Sequence, residues 1–519
     1  MKSVVLFIAL ALACVVQCSK ILVVFPMAAP SHYILGNALA RGLAEAGHDV
    51  TMVSPFEEKN PPKKGKYRDV VLTGLLEEMR SNRNTNLPKF FELDKMNPFF
   101  SIVMINVMGD QISKSTMKHP NFQKLLKSNE QFDVVIIEQF LDDALKVLAY
   151  HYKAPLILLS TIGANAWVNN LVGNPAPLSY VPDVFLSYSS NMTFKQRLVN
   201  WLFTVAAELN RHLFYFPAQN KILKEHYPDA PDLSEINYNV SLVLLNSHES
   251  VNQAVPHVPN MIDIGGYHVN APKELPKDLK DFMDSAKEGV VYFSLGSNIQ
   301  PSQMTEDTRK AILGALGKIK QKVLWKWDED TLPGKPDNVK ISKWFPQQDV
   351  LAHPNIRLFI THGGLLSTTE TIYHGVPILA FPVFGDQKMN AARAEMNGFG
   401  LTLYFSELTE ERITDALNKL LNNPQYRENA RRRSKLMHDR PVKPLDLAIY
   451  WTEFVIRHRG APHLKVAGAD LPLYKYLLLD VISFVILISI SSVIVVCFVI
   501  KKICSKVCFR KNTKKLKKN

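Results

Sequence analysis

The sequence predicts an α/β protein made of two Rossmann-like, doubly wound domains facing a cleft, followed by one membrane-spanning helix. Three observations carry this expectation. A chain of 519 residues is too long for one typical hydrophobic core. Strand–helix–strand cycles fall into two groups, one on each side of a proline- and charge-rich linker, Asn270–Pro276. Near the far end, Val481–Ile500 is an uncharged, mostly apolar run long enough to cross a bilayer.

In the first group the short apolar strand Lys20–Phe25 leads through Pro26–Pro30 into an amphipathic helix from about Ser31 to Glu45. Gly47 stops the helix, and the strand Asp49–Ser54 comes next. Two strands joined through a helix run in the same direction, so a parallel sheet is implied. The pattern recurs at the strand Asp133–Ile137, the helical Leu141–Tyr150 and the strand Leu156–Ser160. The second group starts at Val290–Leu295 and continues with the helix Glu306–Ile319 and the strand Val323–Trp327. The boundaries expected are a leader 1–18, a first domain 19–270, a linker 271–288, a second domain 289–475, a transmembrane helix 476–500 and a basic tail 501–519.

The leader has Lys2, an apolar run from Val4 to Val16 and small residues near Cys18-Ser19, the pattern of a cleaved secretory signal. All five cysteines lie in the leader (Cys14, Cys18) or in the anchor and tail (Cys497, Cys504, Cys508). The body therefore has no disulfide and no cysteine metal site. Asp480 precedes the apolar run and Lys501-Lys502 succeed it, so the positive-inside rule puts the tail in the cytosol and the body in the lumen. The net charge of +13 raises nucleic-acid binding. Location excludes it: nine basic residues sit in the tail and Lys2 in the leader, which leaves only about +3 on the body. The tail carries Lys515 and Lys517 in the pattern of the dilysine retrieval signal of endoplasmic-reticulum membrane proteins. Two N-x-[ST] sequons, at Asn191 and Asn239, suit a lumenal body.

The most informative stretch runs from Trp344 to Gln387. A sheet-forming strand, Ile356–Thr361, delivers His362 and the pair Gly363-Gly364, after which Ser367, Thr368 and Thr369 open a helix ending near His374-Gly375. Glycines before a helix start let backbone N–H groups approach a ligand, and with the helix dipole they make an anion site suited to a diphosphate. Glu370, in the first helical turns, can reach a sugar hydroxyl. A second buried strand, Ile378–Phe381, brings Gly385-Asp386-Gln387 to the same sheet edge, where open α/β sheets bind ligands.

The elements Trp344-x-Pro346-Gln347, Thr361-His362-Gly363-Gly364, Glu370, His374-Gly375-x-Pro377 and Asp386-Gln387 resemble the signature of the UDP-glycosyltransferases, which include the membrane-anchored UDP-glucuronosyltransferases. The likeness extends along nearly the whole chain. It implies that Trp344 stacks on uracil and that Gln347 helps hold base and ribose. His362, Gly364 and the helix start at Ser367 and Thr368 would hold the diphosphate. Glu370 would bind the ribose, and Asp386 with Gln387 the sugar. Ser297, in the turn after the second domain's first strand, matches a further phosphate contact. One departure is Leu366, where many family members have asparagine.

On the acceptor side, His32 comes after the first strand at a helix start, where the resembled family carries its catalytic base. An imidazole suits proton abstraction from a hydroxyl near neutral pH. The orienting aspartate of that family is replaced here by Glu138, with Asp142 and Asp143 as nearby alternatives. The apolar segments Met96–Met108 and Trp201–Val205 are read equally as core, or as pocket lining for a greasy acceptor or a part that dips into the lumenal leaflet. The triplet Asp328-Glu329-Asp330 lacks partner His or Cys residues and reads as a solvated turn.

The resemblance implies an inverting transfer of a hexosyl group, glucose in preference to glucuronate by analogy with invertebrate members, from a UDP-sugar to small lipophilic acceptors. The UDP-sugar is a co-substrate, and no cofactor or metal is expected. The partners expected are that donor, the acceptor and the membrane through one helix, with a homo-oligomer left open. A hydrolase finds no G-x-S-x-G elbow here. A non-catalytic UDP-sugar- or lipophile-binding protein draws its support from Leu366 and Glu138 alone.

Overall fold

The computed structural model describes residues 18–86, 91, 93 and 96–516. The leader up to Gln17 lies outside the described residues, as does Lys517 of the expected retrieval signal. The body, up to Lys465, holds two all-parallel sheets.

The first sheet has seven strands in the order β3-β2-β1-β4-β5-β6-β7. They are β1 Lys20–Val24, β2 Asp49–Ser54, β3 Lys66–Val71, β4 Val134–Glu138, β5 Leu156–Ser160, β6 Leu242–Leu245 and β7 Met261–Asp263. The second has six, in the order β10-β9-β8-β11-β12-β13: β8 Val290–Ser294, β9 Lys322–Lys326, β10 Val339–Ser342, β11 Ile356–Thr361, β12 Ile378–Ala380 and β13 Gly400–Thr402. In each sheet the strand order reverses direction once, between β1 and β4 and between β8 and β11. Those switch points are where an open α/β sheet leaves a crevice at its strand ends.

The helices that bear on function are α1 Pro30–Glu45, α2 Phe100–Lys118, α3 Phe194–Asn210, α4 Leu365–His374, α5 Gln387–Met396, α6 Pro444–Arg457 and α7 Leu479–Leu516. Central strands read as continuous apolar runs because both sheet faces are covered; all of β4 and β8 is buried.

Three expectations need correction. The linker expected at 271–288 contains the helix Lys277–Asp284, whose Leu279 and Met283 pack into the second domain's core. Their i, i+4 spacing gives that short helix one apolar stripe, so only its approach is a linker. The second domain expected to run to 475 loses α6: Ala448 and Val455 pack into the core of the first sheet with Leu39 and Leu43 of α1. An apolar stripe does not state which of two sheets it will cover. The helix expected to open at Ser367 opens two residues earlier, at Leu365.

The unit from Val466 onward contains α7, of which Leu479–Lys506 is long and apolar enough to cross a membrane. It starts at Leu479, three residues after the expected boundary at 476, and continues as helix past Lys501.

Candidate active site

Ala29 has extended backbone (φ −131°, ψ 127°), and Pro30, with its fixed φ, opens α1. His32 therefore sits in the first helical turn, directly beyond the end of β1. Pairing of Val24 with Ile137 sets β1 beside β4, so the next residue of β4, Glu138, arrives under the start of α1. His32 Nδ1 hydrogen-bonds Glu138 Oε1. Glu138 is fully buried, and its Oε2 has no hydrogen-bond partner among the described residues. Phe140 packs edge-on against the imidazole with ring centroids 4.6 Å apart. Carboxylate and aromatic ring thus fix the imidazole, which lines the cleft.

The alternative carboxylates are committed elsewhere. Asp143 accepts from Lys146 Nζ at 2.5 Å and from the Tyr215 hydroxyl at 2.8 Å, and these partners hold its carboxyl below the usual range despite burial. Asp142 is buried, and burial together with the charges of Glu138 and Asp143 pushes its pKa well up.

On the donor side, β8 and β11 end side by side, Ser294 paired with Thr361. The turn after β8 carries Gly296, and the turn after β11 carries His362, Gly363 and Gly364. Gly296 (φ +82°) and Gly364 sandwich the imidazole of His362. A Cβ would come within 2.7 Å of its Cε1 at Gly296 and within 2.5 Å of its Nε2 at Gly364. Burial, then the charge of Lys326, lowers the His362 pKa to about 4, so the ring is neutral at pH 7. Its Nδ1 has no partner among the described residues. His362 can offer a ligand a hydrogen bond but not a positive charge.

At the start of α4, the Ser367 hydroxyl accepts from Gln347 Nε2 at 3.1 Å. Glu370 accepts from Gln347 Nε2 at 2.5 Å and from Gln348 Nε2 at 2.9 Å, and burial raises its pKa. Thr368 is not brought into the site. Its N–H and its hydroxyl both bond the Gly364 carbonyl, at 2.9 and 3.0 Å, because the helix starts at Leu365. Leu366 lines the cleft and packs against the core of the first sheet, so the departure from asparagine becomes a contact between the two domains.

Asp386 holds the position before α5, is partly buried with its pKa raised by desolvation, and accepts from Asn390 Nδ2 at 2.7 Å. Gln387 Oε1 accepts from the N–H groups of Val383 and Phe384, at 2.9 and 3.2 Å, which shapes the loop before α5, and the residue lines the cleft. Ser297 is exposed on the cleft wall, and Trp344 is 64% exposed at its mouth.

Two residues escaped sequence reasoning. Lys326, the last residue of β9, places Nζ 4.8 Å from the Trp344 ring centroid and donates to the Gly296 carbonyl at 3.0 Å. It gives the donor side a cation next to His362 and covers one face of Trp344. Being at the end of a strand next to the switch strand was the available signal. His268 lies 3.8 Å from Glu370, but burial lowers its pKa to about 4, so the two are not an ion pair. The acidic triplet is a turn whose Asp328 accepts from Ser302 N–H at 3.0 Å and whose Asp330 pairs with Lys343 at 2.7 Å.

Both groups line one cleft of about 1410 Å³, more than the few hundred to about 1,000 Å³ of a typical single-ligand pocket. It has room for two substrates. Its acceptor side includes Met104 and Met108 of α2 and the rings of Phe140, Trp167 and Phe185, whose neighbouring centroids lie 6.2 and 5.7 Å apart. Met96–Met108 thus supplies lining, whereas Trp201, Leu202 and Val205 point to solvent and only Phe203 of that segment is buried.

A family model described as UDP-glucuronosyl and UDP-glucosyl transferase matches residues 19–519. UDP-glycosyltransferase UGT5 of Dactylopius coccus is 37% identical over 506 residues, covering 93% of this chain and 91% of that protein. UDP-glucosyltransferase 2 of the same insect is 34% identical, covering 96% of each. Human UDP-glucuronosyltransferase 2B7 is 39% identical over 66% of this chain and 64% of its own. Among solved structures, the glycosyltransferase of kitacinnamycin superposes with a TM-score of 0.55 at 16% identity, over 85% of this chain and 99% of its own. That likeness shows a shared two-domain GT-B fold.

Proposed function

Since the chain belongs to the UDP-glucuronosyl and UDP-glucosyl transferase family and transfers hexosyl groups from UDP-sugars, we propose that His32 is the general base of an inverting transfer to the hydroxyl of a small lipophilic acceptor. The observation that carries this is the His32–Glu138 hydrogen bond at the edge of a cleft whose far wall is the donor signature.

With Nδ1–H donated to Glu138, the other ring nitrogen takes the acceptor's proton. The acceptor oxygen bonds to the anomeric carbon as the bond from that carbon to the β-phosphate oxygen breaks, and UDP departs with the electron pair. In-line attack inverts the anomeric centre. Glu138 stabilises the imidazolium that forms. The leaving diphosphate meets the N–H groups that open α4, a hydrogen bond from neutral His362, and the charge of Lys326. Ser297 adds a hydroxyl, Trp344 its free face to uracil, Gln347 and Glu370 contacts to base and ribose, and Asp386 with Gln387 contacts to the sugar hydroxyls. With a cation and a helix N-terminus in place, the reading needs no metal.

Glucose is the donor sugar we favour. The relatives that span nearly the whole chain include a glucosyltransferase, whereas the glucuronosyltransferases match over about two thirds of it. The apolar helix fits a membrane anchor. Residency in the endoplasmic reticulum, with a lumenal body and the exposed Asn191 and Asn239 as glycan sites, is part of the same proposal. The test measures UDP release from UDP-glucose and UDP-glucuronate with and without a phenol, with NMR of the product. Acceptor-dependent release giving a β-glucoside supports the reading. Binding of UDP-sugar without release, or an α-linked product, refutes it.

A further inference from the structure

Cysteine does not occur between Cys18 and Cys497, and then Cys497, Cys504 and Cys508 follow within twelve residues of α7. Position along that helix fixes the depth of each thiol. The uncharged run Val481–Ile500 is about 30 Å long as helix, at ~1.5 Å per residue, which matches a hydrocarbon core. α7 does not stop there but continues to Leu516. Cys497 falls three residues short of Ile500, among the acyl chains. Cys504 lies about 6 Å beyond Ile500 along the axis, and Cys508, one turn further, about 12 Å beyond it. The headgroup layer on each face is about 5 to 8 Å deep. Cys504 is therefore at headgroup level and Cys508 near the layer's aqueous edge.

The surroundings single out these thiols and the reagent that suits them. Cys504 is exposed and in no disulfide. Its neighbour Ser505 is engaged, donating its hydroxyl to the Lys502 carbonyl at 2.9 Å. Lys501, Lys502 and Lys506 flank Cys504, Arg510 and Lys511 follow Cys508, and no acidic residue comes after Asp480. A cationic layer of this kind attracts polyanions at a membrane surface. An acyl-coenzyme A matches every part of the arrangement. Its chain lies among the lipid chains, its phosphates in the cationic layer, and its thioester between them, at the depth of Cys504.

We propose that Cys504, with Cys508 as a second position, is S-acylated by a long-chain acyl-coenzyme A. Sγ bonds to the thioester carbonyl carbon as the bond from that carbon to the sulfur of coenzyme A breaks. Coenzyme A leaves as its thiol, with the proton that the cysteine gives up, and nothing is oxidised or reduced. Anchorage is already supplied by α7, so the added chain instead holds the start of the basic tail at the headgroups. The step rests on the proposed orientation, which puts the tail in the cytosol with the acyl-coenzyme A.

The test expresses the full chain in cells fed an alkyne-bearing long-chain fatty acid, and couples the purified protein to an azide fluorophore. Neutral hydroxylamine, which cleaves thioesters, should remove the label. Cys504→Ser should remove more than about half of it, Cys504→Ser together with Cys508→Ser all of it, and Cys497→Ser none. An unlabelled parent chain overturns the proposal, as does a label that resists hydroxylamine, survives in the double variant or disappears with Cys497. A membrane-impermeant maleimide, applied to sealed microsomes after hydroxylamine, reports the orientation separately. Missing label on a tail whose thiols react in sealed microsomes overturns acylation alone. Thiols that react only after detergent refute the orientation, whatever the label shows.

Discussion

Replacing Glu138 with Gln leaves the shape of the site almost intact and removes one charge. Its carboxylate lies directly behind the imidazole that becomes positive as the acceptor's proton arrives. Unit charges about 4 Å apart interact by about 4 kcal/mol at an effective dielectric of 20. Loss of that stabilisation corresponds to a fall in kcat of about a thousandfold. A second effect acts in the same direction: an amide can donate to Nδ1 and so favour the tautomer whose other nitrogen cannot take a proton. Initial rates with saturating UDP-glucose and a phenol, alongside calorimetric binding of UDP, measure the effect. Turnover should drop by about two to four orders of magnitude with UDP affinity nearly unchanged, because Glu138 is remote from the donor wall. Glu138→Asp should recover part of the loss. A Glu138→Gln enzyme within tenfold of the parent would refute the reasoning. The same result paired with a folded but inactive Asp143→Asn variant would move the orienting role to Asp143.

Two further outcomes are expected from the site. Lys326→Met should weaken UDP more than uridine in a binding titration and raise KM for the UDP-sugar, while Lys326→Arg keeps most of the affinity; equal losses for UDP and uridine would limit the lysine to supporting Trp344. The imidazoles of buried His268 and of partly buried His362 and His374, each lowered chiefly by desolvation to about 4, couple stability to pH. Unfolded, they take up protons below about pH 6.5, whereas folded they do not until about pH 4, so stability falls as pH drops through that window. Melting temperatures should decline from pH 6.5 to 4, and less steeply in a His374→Gln variant; parallel profiles would show that His374 does not contribute.

How much of the fold and the site was legible in the sequence depends on what kind of information each feature carries. Strands buried on both faces are written as local apolar runs, so β2, β5 and β11 were located residue for residue. The donor wall was readable because its groups cluster on two strand ends and a helix start within Trp344–Gln387. Glu138 was placeable from its position at the end of β4, although its bond to His32 spans 106 residues. Long-range choices were not legible. Nothing local in Pro444–Arg457 says that its apolar face covers the first sheet. The resemblance put Thr368 on the diphosphate at an expected helix start, but Gly364 with extended backbone takes the cap position and moves the start to Leu365. Lys326 offered only its place at a strand end, because its value comes from Trp344 and Gly296, contributed by other elements.

The central claim is that one imidazole, held by Glu138 against the cleft, takes the acceptor's proton. Its most direct test is His32→Ala, assayed for UDP binding and for transfer on the same preparation. The account predicts donor affinity within about twofold of the parent and turnover lower by about two to four orders of magnitude. Turnover at the parental level with His32 absent would contradict it.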